Sequence, residues 1–205
     1  MKVAVVGGTG PFGLALVRRL VEAGIDVTIG SRDRERAEAA ATETGAASGT
    51  ANAEAVAGAD LVVLAVTASA ALQTAAELAE SIGETPVLSV ASELHFRDRV
   101  AFPSDNPLSL AERTQELLDG PVVAGLHSVA AGSLAAGAVE GDALVCGDDA
   151  DAKASALELA SKLVSGRALD GGPLAGSRAL ENMCAVIVNL NRRYGGHGGL
   201  QIVGL

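Results

Sequence analysis

Short apolar runs alternate with amphipathic stretches through the first half of the chain. Residues 2–7 predict a strand, and 11–23 a helix with Pro11 at a tolerated early position and Gly24 as its stop. Residues 26–30 read as a second strand. Residues 32–44 read as a charged, alanine-rich helix that ends at Gly45. A short strand at 47–50 and a short helix at 53–56 follow. The β-branched run 60–66 then predicts a buried parallel strand. A helix at 69–81 and a strand at 86–90 complete the rhythm, which implies an α/β fold with helices on both faces of a parallel sheet.

The pattern breaks down in the middle. Residues 91–106 carry no clear period. Asn106 reads as an N-cap with Pro107 at N1, opening a helix to 118. Residues 122–126 form a strand that delivers His127 and Ser128 at its C-terminal end. A strand at 141–146 follows, with Asp148 and Asp149 as helix-start residues for 152–164. Residues 168–170 are extended, Gly171-Gly172-Pro173 breaks them, and a long apolar helix covers 180–194 before a glycine-rich tail. Residues 1–140 are expected as a nucleotide-binding domain. Residues 141–205 are expected as a small lobe packed on it, and the whole is countable as one domain.

The first strand runs straight into Gly8-x-Gly10-x-x-Gly13 and then a helix. That order of strand, glycine turn and helix marks a dinucleotide site. Gly8 is expected to allow the turn, Gly10 to let a pyrophosphate approach the backbone, and Gly13 to let the helix pack on the sheet. Thr9, Pro11 and Phe12 belong to the same cradle. The pyrophosphate would sit on the helix N-terminus, where free N–H groups favour an anion. The second strand ends at Gly30-Ser31-Arg32, where NAD-preferring units carry a carboxylate. Ser31 and Arg32, with Thr9, Arg34 and Arg36 in support, suit a 2′-phosphate, so NADP is expected over NAD. Thr67, Ala68, Ser89 and Val90 stand at ends of later strands, where the nicotinamide is expected.

Composition narrows the partners. Of 205 residues 49% are hydrophobic, which gives ample core, and the formal charge is -10 with no basic tract. Nucleic acid and acidic membranes are therefore not expected as partners. Three Lys among fifteen basic residues suit a salt-adapted host. Three Phe, one Tyr and no Trp leave few aromatic platforms, so a flat ligand would stack on aliphatic groups or on another ligand. Cys146 and Cys184 stand apart with no metal-ligand spacing, which suits free thiols in a reducing cytoplasm, and no metal is expected. No apolar run near the middle is long enough to span a bilayer, and with a strand expected from Lys2 no signal peptide is expected. Tyr194 is followed by glycines, so the Tyr-x-x-x-Lys pair of short-chain dehydrogenases is absent.

Gly7-Gly8-Thr9-Gly10-x-x-Gly13 and Gly30-Ser31-Arg32 resemble the N-terminus of NADPH-dependent coenzyme F-420 reductases. Gly125-Leu126-His127-Ser128, Val145-Cys146-Gly147-Asp148-Asp149, Leu169-Asp170-x-Gly172-Pro173-Leu174 and Ser177-Arg178-x-Leu180-Glu181 resemble later segments of that family. The gapped resemblance covers essentially the whole chain, and only residues 91–100 match poorly. It implies a Rossmann-type doubly wound fold, a cytoplasmic homodimer, and reversible hydride transfer between NADPH and the deazaflavin coenzyme F-420, in archaea and some bacteria.

On that reading His127 is the candidate catalytic residue, placed to hydrogen-bond the deazaflavin and stabilise charge on its pyrimidine ring. His95 and His197 are weaker candidates. Ser177 and Arg178 would bind an anionic tail or fix the C-terminal lobe, Asp170 would shape the Gly-Gly-Pro turn, and Leu205 would cover a ring edge. Two alternatives stay open: an NADP-dependent reductase of another small substrate, such as an imine or a flavin, and an NADP-sensing module without turnover.

Overall fold

The computed structural model describes residues 1–205. Ten strands and eight helices alternate in the order set by the apolar runs. The first half holds β1 (Lys2–Val6), α1 (Pro11–Glu22), β2 (Asp26–Ser31), α2 (Arg34–Thr44), β3 (Ser48–Ala51), α3 (Asn52–Val56), β4 (Leu61–Leu64), α4 (Ala68–Ile82) and β5 (Val87–Ser89). A two-stranded hairpin follows, β6 (Leu94–Arg97) with β7 (Val100–Pro103). Then come α5 (Leu110–Gln115), β8 (Val122–Gly125), α6 (Ala131–Ala136), β9 (Ala143–Gly147), α7 (Ala150–Ser161), β10 (Ala168–Asp170) and α8 (Ser177–Tyr194).

Eight strands form one sheet in the order β10-β9-β8-β5-β4-β1-β2-β3. Strands β3 to β8 of that order are all parallel, β9 runs antiparallel to β8, and β10 is parallel to β9. The order 3-2-1-4-5 about a central β1 is the doubly wound one, and its ligand crevice opens between β1 and β4, where the direction of winding reverses. The sheet is continuous into the C-terminal part of the chain, because β9 and β10 hydrogen-bond onto its edge.

Period-two alternation along the strands feeds two separate cores. Val3, Val5, Leu61, Val63 and Leu88 face one side, against Leu16 and Leu20 of α1, the alanines of α2, and Ala152, Ala156 and Leu159 of α7. Ala4, Val6, Val62, Leu64 and Val87 face the other, against Val56, Ala75, Leu78 and Ile82. Burial on both faces is why these strands read as unbroken apolar runs rather than as an alternation. Small alanines on α2 and α7 let the helices lie close to the sheet.

Several boundaries differ from the sequence expectation. Residues 91–106 are irregular only at their ends, since 94–103 form the β6–β7 hairpin. Its two turn residues, Asp98 and Arg99, take φ of 49° and 65°, and neither is the glycine or asparagine that would announce such a turn. The following helix is shorter than 107–118 and starts at Leu110. Ser109 is its N-cap in a reciprocal capping box with Glu112. Asn106 accepts the N–H of Leu108 (3.0 Å) in a local turn instead of opening a helix. Helix α6 lies where no helix was expected, and α8 begins three residues earlier than expected, at Ser177. Helix α2 begins at Arg34 with Asp33 as N-cap, so Arg32 lies in the preceding turn and not one helical turn from Arg36 on a common helix.

The C-terminal tail is pinned. The Asp142 carboxylate accepts from the backbone and guanidinium of Arg167 and from the N–H of Ile202 (2.7, 2.9 and 2.8 Å). Those donors hold its pKa far below the usual carboxylate range.

Candidate functional site

A cavity of about 680 Å³ opens at the C-terminal ends of β1, β2, β4 and β5, over the crevice that the strand order creates. Its floor is the glycine turn. Gly7 takes φ of +83°, and a side chain there would strike the Ala65 carbonyl at 2.7 Å. The sharp turn out of β1 thus falls at Gly7 rather than Gly8, which keeps an ordinary φ and does not line the cavity. A Cβ on Gly13 would lie 2.3 Å from the Gly7 carbonyl, so α1 can pass under the turn only with glycine there. Thr9, Gly10, Pro11 and Phe12 line the cavity, and Gly13 supports it from below. No side chain caps α1 at Gly10. Its first-turn N–H groups are therefore open to an anion, with the positive end of the helix dipole behind them.

The end of β2 supplies a second anion-binding element. Ser31, Arg32, Asp33 and Arg36 line the cavity together. Ser31 is buried and its hydroxyl oxygen accepts the Asp33 N–H (3.2 Å), which leaves its own proton free to donate. Asp33 turns its carboxylate onto the Arg36 N–H (3.2 Å) as the cap of α2. Neither Arg32 nor Arg36 forms an ion pair, so both guanidinium groups are available. Arg34 differs: it pairs with Glu54 and donates to Thr50 (2.7 Å), outside the cavity. Asn52, which the sequence reading missed, also lines this end, and its buried side-chain oxygen has no partner. The only signal in the sequence was its place just after a weak, short strand.

The opposite end is built from Ala65, Val66, Thr67, Ala68 and Thr74 after β4, and Val90, Ala91 and Ser92 after β5. Ser89, the last residue of β5, is buried in the sheet and does not reach the cavity. His127 lies behind this end. His127 is 6% exposed, neither ring nitrogen makes a hydrogen bond of good geometry, and the Ala91 backbone is the one polar group near enough to act on it. Burial keeps the imidazole neutral, pushing its pKa down to about 4, with the Ala91 carbonyl opposing. Leu126, just before it, has φ of 65°, a strained setting for a non-glycine residue, and this turn aims His127 off the strand end. A buried imidazole without partners is costly unless something else pairs with it. His127 does not itself line the cavity, and the Ala91 segment stands between its ring and that end.

His95 lies on the hairpin and His197 in the tail, where Ser133 donates to its carbonyl (3.1 Å). Neither lines the cavity. Ser177 is fully buried against Ser109 (2.7 Å), and Arg178 reaches the Ser104 carbonyl (3.5 Å). Both fasten α8 to neighbouring segments. Asp170 accepts the Gly172 N–H (2.8 Å) in the expected turn and pairs with Lys153 (3.0 Å).

Residues 2–93, the half that carries the cradle and both rims of the cavity, match the family model described as NADP oxidoreductase coenzyme F420-dependent. Over its whole length the chain is 32% identical to the F420-dependent NADP reductase of Methanocaldococcus jannaschii, covering 99% of that protein. It is 33% identical to the F420-dependent NADP reductase of Methanothermobacter marburgensis, over 93% of this chain and 92% of the relative. Among solved structures, a putative F420-dependent NADP reductase from Arthrobacter sp. FB24 superposes with a TM-score of 0.85 at 27% identity, each chain covered completely. The full-length match, together with a cavity whose cradle and basic rim suit a phosphorylated dinucleotide, shows that this chain belongs to the family of coenzyme F420-dependent NADP oxidoreductases.

Proposed function

We infer that the protein transfers a hydride, reversibly, between NADPH and the deazaflavin coenzyme F-420. The observation that carries this is one cavity with two unlike ends. An anion cradle with two unpaired arginines lies at one end, and a small-residue rim backed by the unpartnered His127 lies at the other.

Residues 1–140 hold the dinucleotide, and residues 141–205 continue the same sheet and brace the far end from outside the cavity. The α1 N–H groups and Thr9 take the pyrophosphate, with Gly10, Pro11 and Phe12 shaping its path. Ser31, Arg32 and Arg36 take the 2′-phosphate, and Asn52 meets the adenosine side. Thr67, Ala68 and Val90 bound the nicotinamide, and Gly8, Gly13 and Ser89 act from behind as packing. With both rings bound, the cofactors themselves carry the hydride chemistry. The protein contributes position and a preset polar environment. His127, neutral at working pH, is suited to hydrogen-bond a ring edge without adding a fixed charge. The scarcity of aromatic side chains leaves two flat ligands to stack on each other.

No helix is long and apolar enough to cross a membrane. We place the protein in the cytoplasm as a homodimer. Val186 and Leu190, exposed one turn apart on α8, mark the surface a second copy would cover.

Mixing the purified protein with NADPH and oxidised F-420 tests the assignment through the deazaflavin absorbance. Its loss supports the reading. NADPH oxidation by an imine or a free flavin instead of F-420, or NADPH binding with no turnover on any of them, overturns it.

A further inference from the structure

The C-terminal Ser177-Arg178-x-Leu180-Glu181 motif has no part in the cavity lining, yet it ends on a buried carboxylate. Glu181 is 4% exposed, on the second turn of α8. Its Oε1 accepts the N–H groups of Leu110 (2.7 Å) and Ala111 (3.3 Å). These are the first two residues of α5, whose N–H groups have no partner within their own helix. The next one, Glu112, is taken by the Ser109 cap (3.0 Å), so α5 is capped jointly by its own N-cap and by a side chain from α8. The Glu93 backbone lies close enough to the same carboxyl group to pull on its proton. Glu93 directly follows Ser92, and Val90, Ala91 and Ser92 form the rim of the cavity. The Glu93 carboxylate in turn pairs with Arg113 of α5 (3.0 Å). Three segments far apart in the chain are therefore linked: Glu181 ties α8 to the start of α5, and the Arg113–Glu93 pair ties α5 to the loop after β5.

We propose that Glu181 is a positioning residue for hydride transfer, tying the 91–93 loop and the start of α5 to α8 and so fixing the rim that bounds the reacting rings. The proposal rests on the functional reading above. It concerns a residue that touches no cofactor.

The group is also suited to titrate in use. Burial pushes the Glu181 carboxyl up to about 7, while the N–H groups of Ala111, Leu110 and Glu93 pull the other way and the Glu93 charge adds to the rise. The charged and titratable neighbours are Glu93 from the loop, Glu112 and Arg113 from α5, and Arg178 and Cys184 on its own helix. The Cys184 thiol is itself raised by burial and lies against the Ser92 side chain. Because burial disfavours the ionised form, loss of the proton weakens the assembly, and the rim is held most firmly on the acidic side of neutrality.

The test compares the wild type with Glu181→Gln and Glu181→Ala. Three readouts are taken: NADPH binding by nicotinamide fluorescence, deazaflavin turnover from about pH 5.5 to about pH 8.5, and amide hydrogen exchange of residues 91–93 and 110–111. Glu181→Ala is expected to lower kcat about ten- to a hundredfold, to shift NADPH affinity by less than about twofold, and to speed exchange at those amides. Glu181→Gln keeps an acceptor oxygen of the same shape. It is expected to restore most of the turnover and slow exchange, while losing the inflection in kcat near pH 7. Unchanged kcat and exchange in a folded Glu181→Ala overturn the proposal. So does loss of NADPH affinity in step with kcat, which marks a general structural defect, or a Glu181→Gln variant no better than Glu181→Ala. If the wild type binds NADPH but never turns over F-420, the functional reading fails, and the exchange data still decide whether Glu181 holds the rim.

Discussion

At the phosphate end of the cavity, almost every ligand-facing group lies between Gly7 and Arg36, on one strand–turn–helix–strand unit. At the ring end, the rim comes from the segments after β4 and β5, His127 comes from the end of β8, and Glu181 from α8 holds the assembly together. The first end is set by local backbone geometry. The second is set by tertiary contacts among segments up to ninety residues apart in sequence, such as the Glu93 loop and Glu181. One consequence is energetic. Damage to the first end should act on folding and NADPH binding together, whereas damage to the second should act on turnover with binding spared.

The strongest way to break that contrast is at Gly13. A methyl group there would lie 2.3 Å from the Gly7 carbonyl and 2.7 Å from the Gly8 Cα, both backbone atoms that cannot swing aside. Gly13→Ala is expected to destabilise the protein by about 2–4 kcal/mol and to abolish detectable NADPH binding. Chemical unfolding and a fluorescence titration check this. A Gly13→Ala protein of normal stability and affinity would mean that the turn is not the rigid cradle it looks to be.

At the ring end, His127→Ala is expected to cut kcat about a hundredfold with NADPH affinity nearly intact, the scale of a lost transition-state hydrogen bond. The same residue and Glu181 give opposite signatures in stability against pH. His127 has its folded pKa lowered from 6.5 to about 4. As pH falls through that window the unfolded chain takes up a proton that the fold refuses, so His127 alone costs about 3 kcal/mol. Glu181 has its folded pKa raised from 4.5 to about 7. Its contribution is full below 4.5 and is lost as pH rises through 7, again about 3 kcal/mol. Between pH 7 and 4.5 the two effects oppose, and the wild type should show a shallow profile. His127→Gln should then gain stability on acidification, and Glu181→Gln should lose it. Denaturant midpoints across that range measure both slopes. Two single variants with the same slope as the wild type would show that neither group titrates as its burial demands.

The unequal legibility of the two ends follows from the same physics. The cradle could be read because its constraints are local: an apolar run, glycines at fixed spacing, and a proline at the first position of α1. The absence of a carboxylate at Ser31-Arg32 is equally local. Two details at this end escaped. The positive φ falls on Gly7 because the turn must clear Ala65, a residue from β4's far side of the crevice. Arg34, adjacent in sequence to the cavity arginines, is drawn away by Thr50 and Glu54. At the ring end the misses are larger. The β6–β7 hairpin turns through Asp98 and Arg99 at positive φ, and its stability comes from α8, where the Asn189 side chain bonds both the N–H and the carbonyl of Ala101 (2.8 and 2.8 Å). Asn106-Pro107 carries a helix-start signal, but the capping box at Ser109 and the carboxylate of Glu181 place the start three residues later. The Ser109-x-x-Glu112 box is legible in a local window, where Asn106-Pro107 competes with it, whereas Asn189 and Glu181 lie about seventy to ninety residues away and no window could have revealed them.

The arginines at the phosphate end give the finest test of the comparison. Arg32 lines the cavity without an ion partner, whereas Arg34, two residues on, is tied to Glu54 on the outer surface. A charge-assisted contact to a 2′-phosphate is worth about 1.5–3 kcal/mol. Arg32→Ala should therefore raise the NADPH Michaelis constant about ten- to a hundredfold and leave the weaker use of NADH almost unchanged. Arg34→Ala removes an exposed pair worth about 0–1 kcal/mol and no cofactor contact, so neither constant should move by more than about twofold. If instead Arg34→Ala matches Arg32→Ala, the guanidinium on the Glu54 side must swing into the cavity when NADPH binds. The phosphate end would then be shaped by its ligand rather than set in advance by its own backbone.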